Sequence, residues 1–253
     1  MSISELTEVE ISVASTTATP RRLALGIASV ITAEDIKNSG ATEIAHVLEM
    51  VLGLHVSRSS ARLQALYSIK GVHAALNPHV LVLINGTQIL DPFNSALPPT
   101  FRLPVANISR IEVIRGPSSA LYGADAVAGV INIITKSSTE LGGGHAGARV
   151  GSFGHRDVWT QYGGTTKDWD VAFSFEYASS DRDRTVSADQ QTFFDGLFGT
   201  NASLAGALDT RFNILNTHVE VERGNWQVSI WDWRQRDGGS GPGVGQAIDP
   251  SCH

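Results

Sequence analysis

Few residues in this chain are grouped in a way that could support catalysis. Gly142, Gly144 and Gly147 have the spacing of a dinucleotide-binding loop, but such a loop has to follow a strand and open a helix. The residues after Gly147, ARVGSF, instead alternate in polarity as a strand does. We therefore interpret these glycines as a flexible linker and not as a cofactor site.

Other reactive residue types are present without the partners they need. Gly116-Pro-Ser118 has Ala120 at the position where a hydrolase nucleophile elbow requires a second glycine. His73 and His79 flank a predicted loop, but a metal site needs more ligands at defined spacing. The charged run of residues 181–184 is typical of an exposed loop. We expect no enzymatic activity, no metal site and no cofactor.

Composition limits the class of protein further. The 253 residues, 42% of them hydrophobic, can form one large domain or two ordinary ones. The net charge of −6 gives no basic face for nucleic acid. The single cysteine, Cys252, cannot form an internal disulfide.

The sequence contains no obvious helical membrane span or export signal. No run approaches the roughly 18 apolar residues of a spanning helix, although the alternating strands of a membrane β-barrel would escape this test. The start, MSISELTEVE, lacks the basic and apolar regions of a signal peptide. A signal peptide is therefore expected to be absent from this chain.

Up to Lys136 the pattern predicts short helices mixed with short strands. Thr32 and Asp35 form a capping-box pattern that predicts a helix ending near Gly40. Thr42 is the predicted cap of a second helix that Gly53 closes. Its apolar residues follow helical spacing: Ile44, Val47, Leu48 and Val51.

Strands complete this first region. Asn85-Gly86 predicts a tight turn after a buried strand, and residues 120–128 predict a helical turn. The predicted strands cover residues 54–56, 65–69, 80–84, 108–115 and 130–135. Together they predict an α+β unit of roughly a hundred residues.

Beyond Gly142 the polarity repeats every second residue. One predicted face of the segment WDVAFSFEYAS carries the apolar residues Trp169, Val171, Phe173, Phe175 and Tyr177. In the last segment Trp226, Val228 and Ile230 share a face, whereas Trp231 and Trp233 fit that face only if a bulge intervenes.

The aromatic spacing and the loops favour a membrane barrel over a soluble sandwich. Trp169 and Tyr177 are eight positions apart, or roughly 26 Å along a strand. An outer-membrane barrel has an apolar band about 25 Å tall with aromatic girdles at both rims. Residues 166–168 and 223–225 predict tight turns, whereas residues 180–210 predict a long loop. Short turns on one side and long loops on the other are typical of such barrels.

Four ordered motifs resemble one family. The segment from Ala28 to Lys136 resembles the plug domain of TonB-dependent outer-membrane receptors. The resemblance is carried by VITAEDIKNSGATEIAHVL, YSIKGV, VLVLINGTQI and RIEVIRGPSSALYGADAVAGVINIITK, in that order. It implies an α+β plug domain followed by antiparallel β-strands of an incomplete transmembrane β-barrel. In this family the barrel has about 22 strands and the plug fills its lumen.

The resemblance also implies energy-coupled import of a scarce solute, such as an iron-siderophore, haem or cobalamin. The implied partners are TonB, the lipid of the Gram-negative outer membrane and a small-molecule ligand such as an iron chelate. Added-strand pairing with TonB makes the extended segment near the N-terminus the candidate contact. Its residues are Glu8, Val9, Glu10, Ile11, Ser12 and Val13.

Two further groups of site residues follow from the resemblance. Outward-pointing plug loops are the candidate ligand contacts, with Arg58, Ser59, Arg62, Gln64, Asp91, Phe93 and Asn94. Glu112 and Arg115 are the candidate polar contacts between plug and barrel wall.

The expected organisation is a flexible segment over residues 1–22, a plug over 23–136 and barrel strands over 137–253. The residues after Lys136 leave room for about five strands, so we expect a truncated receptor. The alternative is a soluble β-rich binding or adhesive module fused to a small α+β domain, with Phe173, Phe175 and Tyr177 buried against a second sheet. A signalling receptor would carry an extra N-terminal domain, and the sequence gives no support for one.

Overall fold

The computed structural model describes residues 10–11, 19–20, 27–59, 64–74, 77–91, 97–98, 101–181, 187–188, 206–207 and 210–238. The chain divides into two compact units. The first unit comprises residues 1–57, 65–98 and 107–135, and the second comprises residues 58–64, 99–106 and 136–253. No helix among the described residues is both long and apolar enough to cross a membrane.

The first unit contains a mixed sheet, a two-stranded sheet, short helices and a terminal strand pair. Its strands are β1 (Glu10–Ile11), β2 (Thr19–Pro20), β3 (Ile27–Thr32), β4 (Leu54–Arg58, whose last residue belongs to the second unit), β5 (Ala65–Ile69), β6 (Val80–Ile84), β7 (Thr87–Gln88), β8 (Ile108–Arg115) and β9 (Gly129–Thr135). Its helices are α1 (Ala33–Ser39), α2 (Ile44–Leu48) and α3 (Ser119–Tyr122), with a 3₁₀ turn over Ala124–Ala126.

Local sequence explains the two helices that open this unit. The predicted capping box of α1 is confirmed, because the Thr32 hydroxyl accepts from the Asp35 backbone N–H and the Asp35 carboxylate accepts from the Thr32 N–H. Helix α2 begins after Glu43, which makes no side-chain cap, so the prediction of Thr42 as the cap is wrong. Its predicted apolar residues are buried as expected, but the helix ends at Leu48, so the predicted extension through Val51 to a stop at Gly53 is wrong.

The mixed sheet holds the core of the first unit. Its strand order is β3-β8-β9-β6-β7, with β6 and β9 parallel and the other neighbours antiparallel. The β6 and β9 runs are apolar without alternation because their central residues are covered on both faces. Asn85 and Gly86 both have positive φ, which confirms the predicted tight turn between β6 and β7.

The second unit is built on one antiparallel meander. Its strands are β10 (Gly143–Val150), β11 (Arg156–Thr166), β12 (Trp169–Ser180), β15 (Phe212–Arg223) and β16 (Trp226–Arg236), hydrogen-bonded in that order. Helix α4 (Ser138–Leu141) precedes β10, a 3₁₀ turn covers Ser152–Gly154, and β13 (Ser187–Ala188) pairs with β14 (Gly206–Ala207). The predicted tight turns are confirmed, since only two residues separate β11 from β12 and β15 from β16.

The glycines before this sheet do not form a flexible linker. Gly144 and Gly147 lie within β10, which pairs with β11 over its whole length. A Cβ on Gly147 would come within 2.2 Å of the Trp159 ring, so this glycine makes room for the indole of the facing strand. The linker interpretation is therefore wrong, because the spacing reflects strand packing.

Candidate binding and coupling sites

The second-unit sheet exposes apolar side chains on one face and buries polar side chains on the other, the reverse of a sheet in a soluble protein. The outward face exposes large apolar side chains, with Trp226 78% exposed and Ile230 62% exposed. The remaining exposed apolar residues of this face are Val150, Val158, Tyr162, Trp169, Tyr177 and Val228. An apolar outer face with Trp169 and Tyr177 near opposite ends of one strand fits a strand wall that faces lipid.

The opposite face of the same sheet buries polar groups. Glu176 and Asp157 are almost completely buried although both are acidic. The other buried polar residues of this face are Gln161, Ser174, Asn216 and His218. The soluble-module alternative required the aromatic face to be buried, but Tyr177 is 38% exposed while its neighbour Ala178 is buried. That expectation is therefore wrong for the described residues.

Trp231 and Trp233 lie on the polar face, and no bulge is needed to place them. The pairing of β15 with β16 runs without a register shift from Arg223 opposite Trp226 to Asn213 opposite Arg236. The Trp231 indole N–H donates to the Asn216 side-chain oxygen at 2.8 Å. The bulge suggested by the sequence is therefore absent from this strand pair, and both indoles lie on the polar, inner face of the sheet.

A short segment from the Pro-rich loop packs on this inner face. The Phe101 ring lies 5.5 Å from the Trp233 ring and 6.4 Å from the Trp231 ring, measured between centroids. The Trp233 indole N–H donates to the Arg102 carbonyl at 2.8 Å. The Arg102 guanidinium lies 4.6 Å from the centroid of the Phe212 ring. This segment, residues 101–106, therefore belongs structurally to the second unit.

Its other end is held by polar side chains. The Ala106 carbonyl accepts from Lys136 Nζ at 2.7 Å and from Gln161 Nε2 at 2.9 Å. The Ala106 N–H donates to Glu176 Oε1 at 3.4 Å. Burial lowers the pKa of the Lys136 ammonium, while the negative charges of Glu176 and Glu140 oppose that shift. Both backbone groups of Ala106 are thus satisfied by side chains of the second unit.

No pattern in the sequence indicates this docked segment directly. The polar phase of β11 and β12 places Gln161 and Glu176 on one face, so their availability could have been inferred from the period of two. What could not be inferred is that Ala106 would bind to them, because Ala106 lies far from both residues in the chain.

The candidate TonB segment is only partly described. Glu10 and Ile11 form β1, which pairs antiparallel with Thr19 and Pro20 of β2. The extended conformation is the one that added-strand pairing requires. Glu8, Val9, Ser12 and Val13 lie outside the described residues.

The first candidate ligand loop is closed by a backbone contact. Arg58 ends β4 and is exposed, and the Ser59 N–H donates to the Gln64 carbonyl at 2.8 Å. The Gln64 side chain is buried. Arg62 lies outside the described residues.

The second candidate ligand loop begins after β7. Asp91 is half-buried, and Phe93 and Asn94 lie outside the described residues. The role of both loops in ligand contact therefore stays a prediction. No group of three or more His, Cys, Asp or Glu side chains suited to a metal occurs in the described part of the chain.

Glu112 and Arg115 have partners inside the first unit. Glu112 is buried in β8, and its carboxylate accepts from Arg110 Nε at 2.9 Å. Arg115 donates to the Leu52 carbonyl and to the Ser29 hydroxyl. Burial raises the pKa of Tyr122, and the charge of Glu112 adds to the shift. These contacts link β8 to β3 and to the turn after α2, and the role in barrel contact stays a prediction.

Comparison with known proteins agrees with the motifs. Residues 20–130 match the family model of the TonB-dependent receptor plug domain. This match covers β3 through the start of β9, which is most of the described first unit.

Solved structures resemble both parts of the chain. The ferric yersiniabactin uptake receptor of Yersinia pestis is 20% identical, with a TM-score of 0.60 over 83% of this chain and 31% of that chain. The ferripyoverdine receptor of the Pseudomonas aeruginosa outer membrane is 15% identical, with a TM-score of 0.66 over 91% of this chain and 28% of that one. The siderophore receptor of Acinetobacter baumannii is 16% identical, with a TM-score of 0.63 over 92% of this chain and 30% of that one.

The fold is an α+β plug followed by antiparallel strands of an incomplete β-barrel. Residues 20–130 therefore carry a plug domain of the TonB-dependent receptor type, a domain found in receptors and transporters. The chain spans less than a third of the length of the three solved receptors compared above.

Proposed function

We propose that this chain acts in TonB-dependent uptake of a scarce solute across the Gram-negative outer membrane. The observation that carries the proposal is the second-unit sheet, whose outer face is apolar and whose inner face buries polar groups, in a chain with a plug domain. Outer-membrane lipid is the partner that suits the apolar face. The polar face suits a lumen that a plug fills.

An iron-siderophore is the favoured solute, with haem and cobalamin as the other members of the class. The support is the nature of the similar structures, which are a ferric yersiniabactin receptor, a ferripyoverdine receptor and a siderophore receptor. Arg58, Ser59, Arg62 and Gln64 in one loop and Asp91, Phe93 and Asn94 in the other are the proposed ligand contacts. Two arginines in the first loop suit an anionic iron chelate.

Coupling to TonB is proposed to occur through residues 8–13. In added-strand recognition the backbone N–H and C=O groups carry most of the affinity. A proline removes one N–H and fixes φ, so it interrupts such pairing whatever the side chains are. Ile11 lies within the segment, and Ile3 provides a matched position outside it.

The Ile11→Pro variant is therefore expected to bind the periplasmic domain of TonB at least about tenfold more weakly than the unchanged chain, as the loss of one or two backbone hydrogen bonds predicts. The Ile3→Pro variant should bind as the unchanged chain does. The measurement is calorimetric titration of the chain in detergent with the purified TonB domain, with ferric siderophore, haemin or cyanocobalamin added in separate runs. Equal binding by both variants, or no binding by the unchanged chain, would refute coupling through residues 8–13.

A further inference from the structure

The docked segment of residues 101–106 is held at both of its ends. At one end Phe101 is 4% exposed and packs on Trp231 and Trp233, and Trp233 also binds the Arg102 carbonyl. At the other end Ala106 uses both backbone groups in contacts with Lys136, Gln161 and Glu176. Between them Leu103 and Val105 are buried.

These contacts are stronger than those of an ordinary surface loop. Aromatic rings at such separations contribute beyond the area that they bury. The hydrogen bonds that the Ala106 carbonyl accepts from Lys136 and Gln161 are costly to break, because each broken bond leaves a polar group shielded from water without its partner. Gln161 Nε2 also lies 3.3 Å from the Ser174 hydroxyl, which fixes the amide in place.

The docked segment and Lys136 flank strands β8 and β9 of the first unit in the chain. Strand β8 begins two residues after Ala106, and β9 ends one residue before Lys136. Ile108 and Thr135, the residues that begin β8 and end β9, are directly paired. Ala106, two residues before β8, and Lys136, directly after β9, are hydrogen-bonded to each other. Both belong to the second unit, whereas β8 and β9 belong to the first.

We infer that residues 101–106, together with Lys136, form a fixed anchor of the plug sequence on the strand wall. The anchor opens together with the second-unit sheet and stays docked when the mixed sheet of the first unit opens. For transport, and resting here on the proposed function, the consequence is that plug rearrangement leaves β8 and β9 tethered at this end. The parts of the plug that rearrange are then the parts that are not held by residues 101–106 and Lys136.

Hydrogen exchange resolves this inference, because it reports the opening of each segment separately. The chain in detergent is compared with three variants, and exchange is followed at the Ala106 amide and at the amides of residues 80–84. Ile131→Ala weakens the first-unit core, and Trp233→Ala weakens the anchor. Trp233→Phe retains a ring against Phe101 but removes the indole N–H that binds Arg102.

Trp233→Ala is expected to speed exchange at Ala106 by about a hundredfold, and Trp233→Phe by about tenfold, while residues 80–84 keep their protection. Ile131→Ala should speed exchange over residues 80–84 and leave Ala106 unchanged. If Ala106 instead follows residues 80–84 in the Ile131→Ala variant, the anchor does not exist. Should Trp233→Ala fail to fold, the Trp233→Phe comparison decides in the same way. Because the readout needs neither TonB nor solute, failure of the proposed uptake function would leave this result unaffected.

Discussion

Replacing Gly163 with alanine is expected to destabilise the second unit by about 3 kcal/mol, as overpacking against a fixed backbone does. Gly163 is buried on the inner face of β11, beside helix α4. A Cβ at this position would lie 2.3 Å from the Ser138 carbonyl oxygen and 2.5 Å from the Leu141 Cβ. Neither atom belongs to the far end of a flexible side chain, so the helix has to move away from the strand.

Tryptophan fluorescence measures this effect selectively. All five tryptophans lie in the second unit, so a urea titration followed by their emission reports that unit alone. The matched control is Gly144→Ala on the neighbouring strand β10, where a Cβ meets nothing within 4 Å. That control should change the midpoint little. Equal midpoints for Gly163→Ala and Gly144→Ala would contradict the packing of α4 on β11.

Truncating Ile131 to alanine is expected to destabilise the first unit by about 3–4 kcal/mol. Ile131 is fully buried in β9, where it pairs with Val82 of β6 and Val113 of β8. Strand β9 lies between β8 and β6, and its residues around Ile131 are buried on both faces, so the surrounding sheet cannot collapse into the space that the lost methyl groups leave.

A graded series separates this cavity effect from a general loss of folding. Ile131→Val should cost about 1 kcal/mol. Ile27→Ala provides the matched control on β3, because Ile27 is 55% exposed and loses little on truncation. Amide exchange over residues 80–84 provides the readout, with the rate rising about tenfold for each 1.4 kcal/mol. A larger effect at Ile27 than at Ile131 would place the core elsewhere.

The sequence predicted the local elements of the first unit well. Strands β5 and β6 have the predicted bounds, and the turn at Asn85-Gly86 forms because both residues tolerate positive φ. These features succeed because each depends on neighbours in the chain. The Thr42 cap failed by one residue, since Glu43 takes the extended conformation at the start of α2.

Features set by partners distant in the chain could not be predicted. A period of two assigns Gln161 and Glu176 to one face but does not say that Ala106 will bind to them. The aromatic character of Trp231 favours an apolar face by pattern alone, although its indole N–H donates to Asn216 on the polar face. The Gly142–Gly147 spacing resembles a linker in the sequence, because nothing local shows that Trp159 needs the space above Gly147.

The candidate site residues depend on the family resemblance more than on geometry. Ile11 is in an extended strand as coupling would need, and Arg58 is exposed at the end of β4. The partners of Glu112 and Arg115 lie within the first unit, so their part in wall contact remains a prediction. Roles that depend on a solute or on TonB cannot follow from strand periodicity, since periodicity reports only burial.

Lipid contact of individual tryptophans distinguishes the two faces of the second-unit sheet. Two variants of the chain, each retaining one tryptophan and carrying phenylalanine at the other four positions, are reconstituted into vesicles of brominated phosphatidylcholine. We predict that the variant retaining Trp226 is strongly quenched and the variant retaining Trp231 is not. Strong quenching of Trp231, or none of Trp226, would contradict a strand wall whose apolar face meets the membrane.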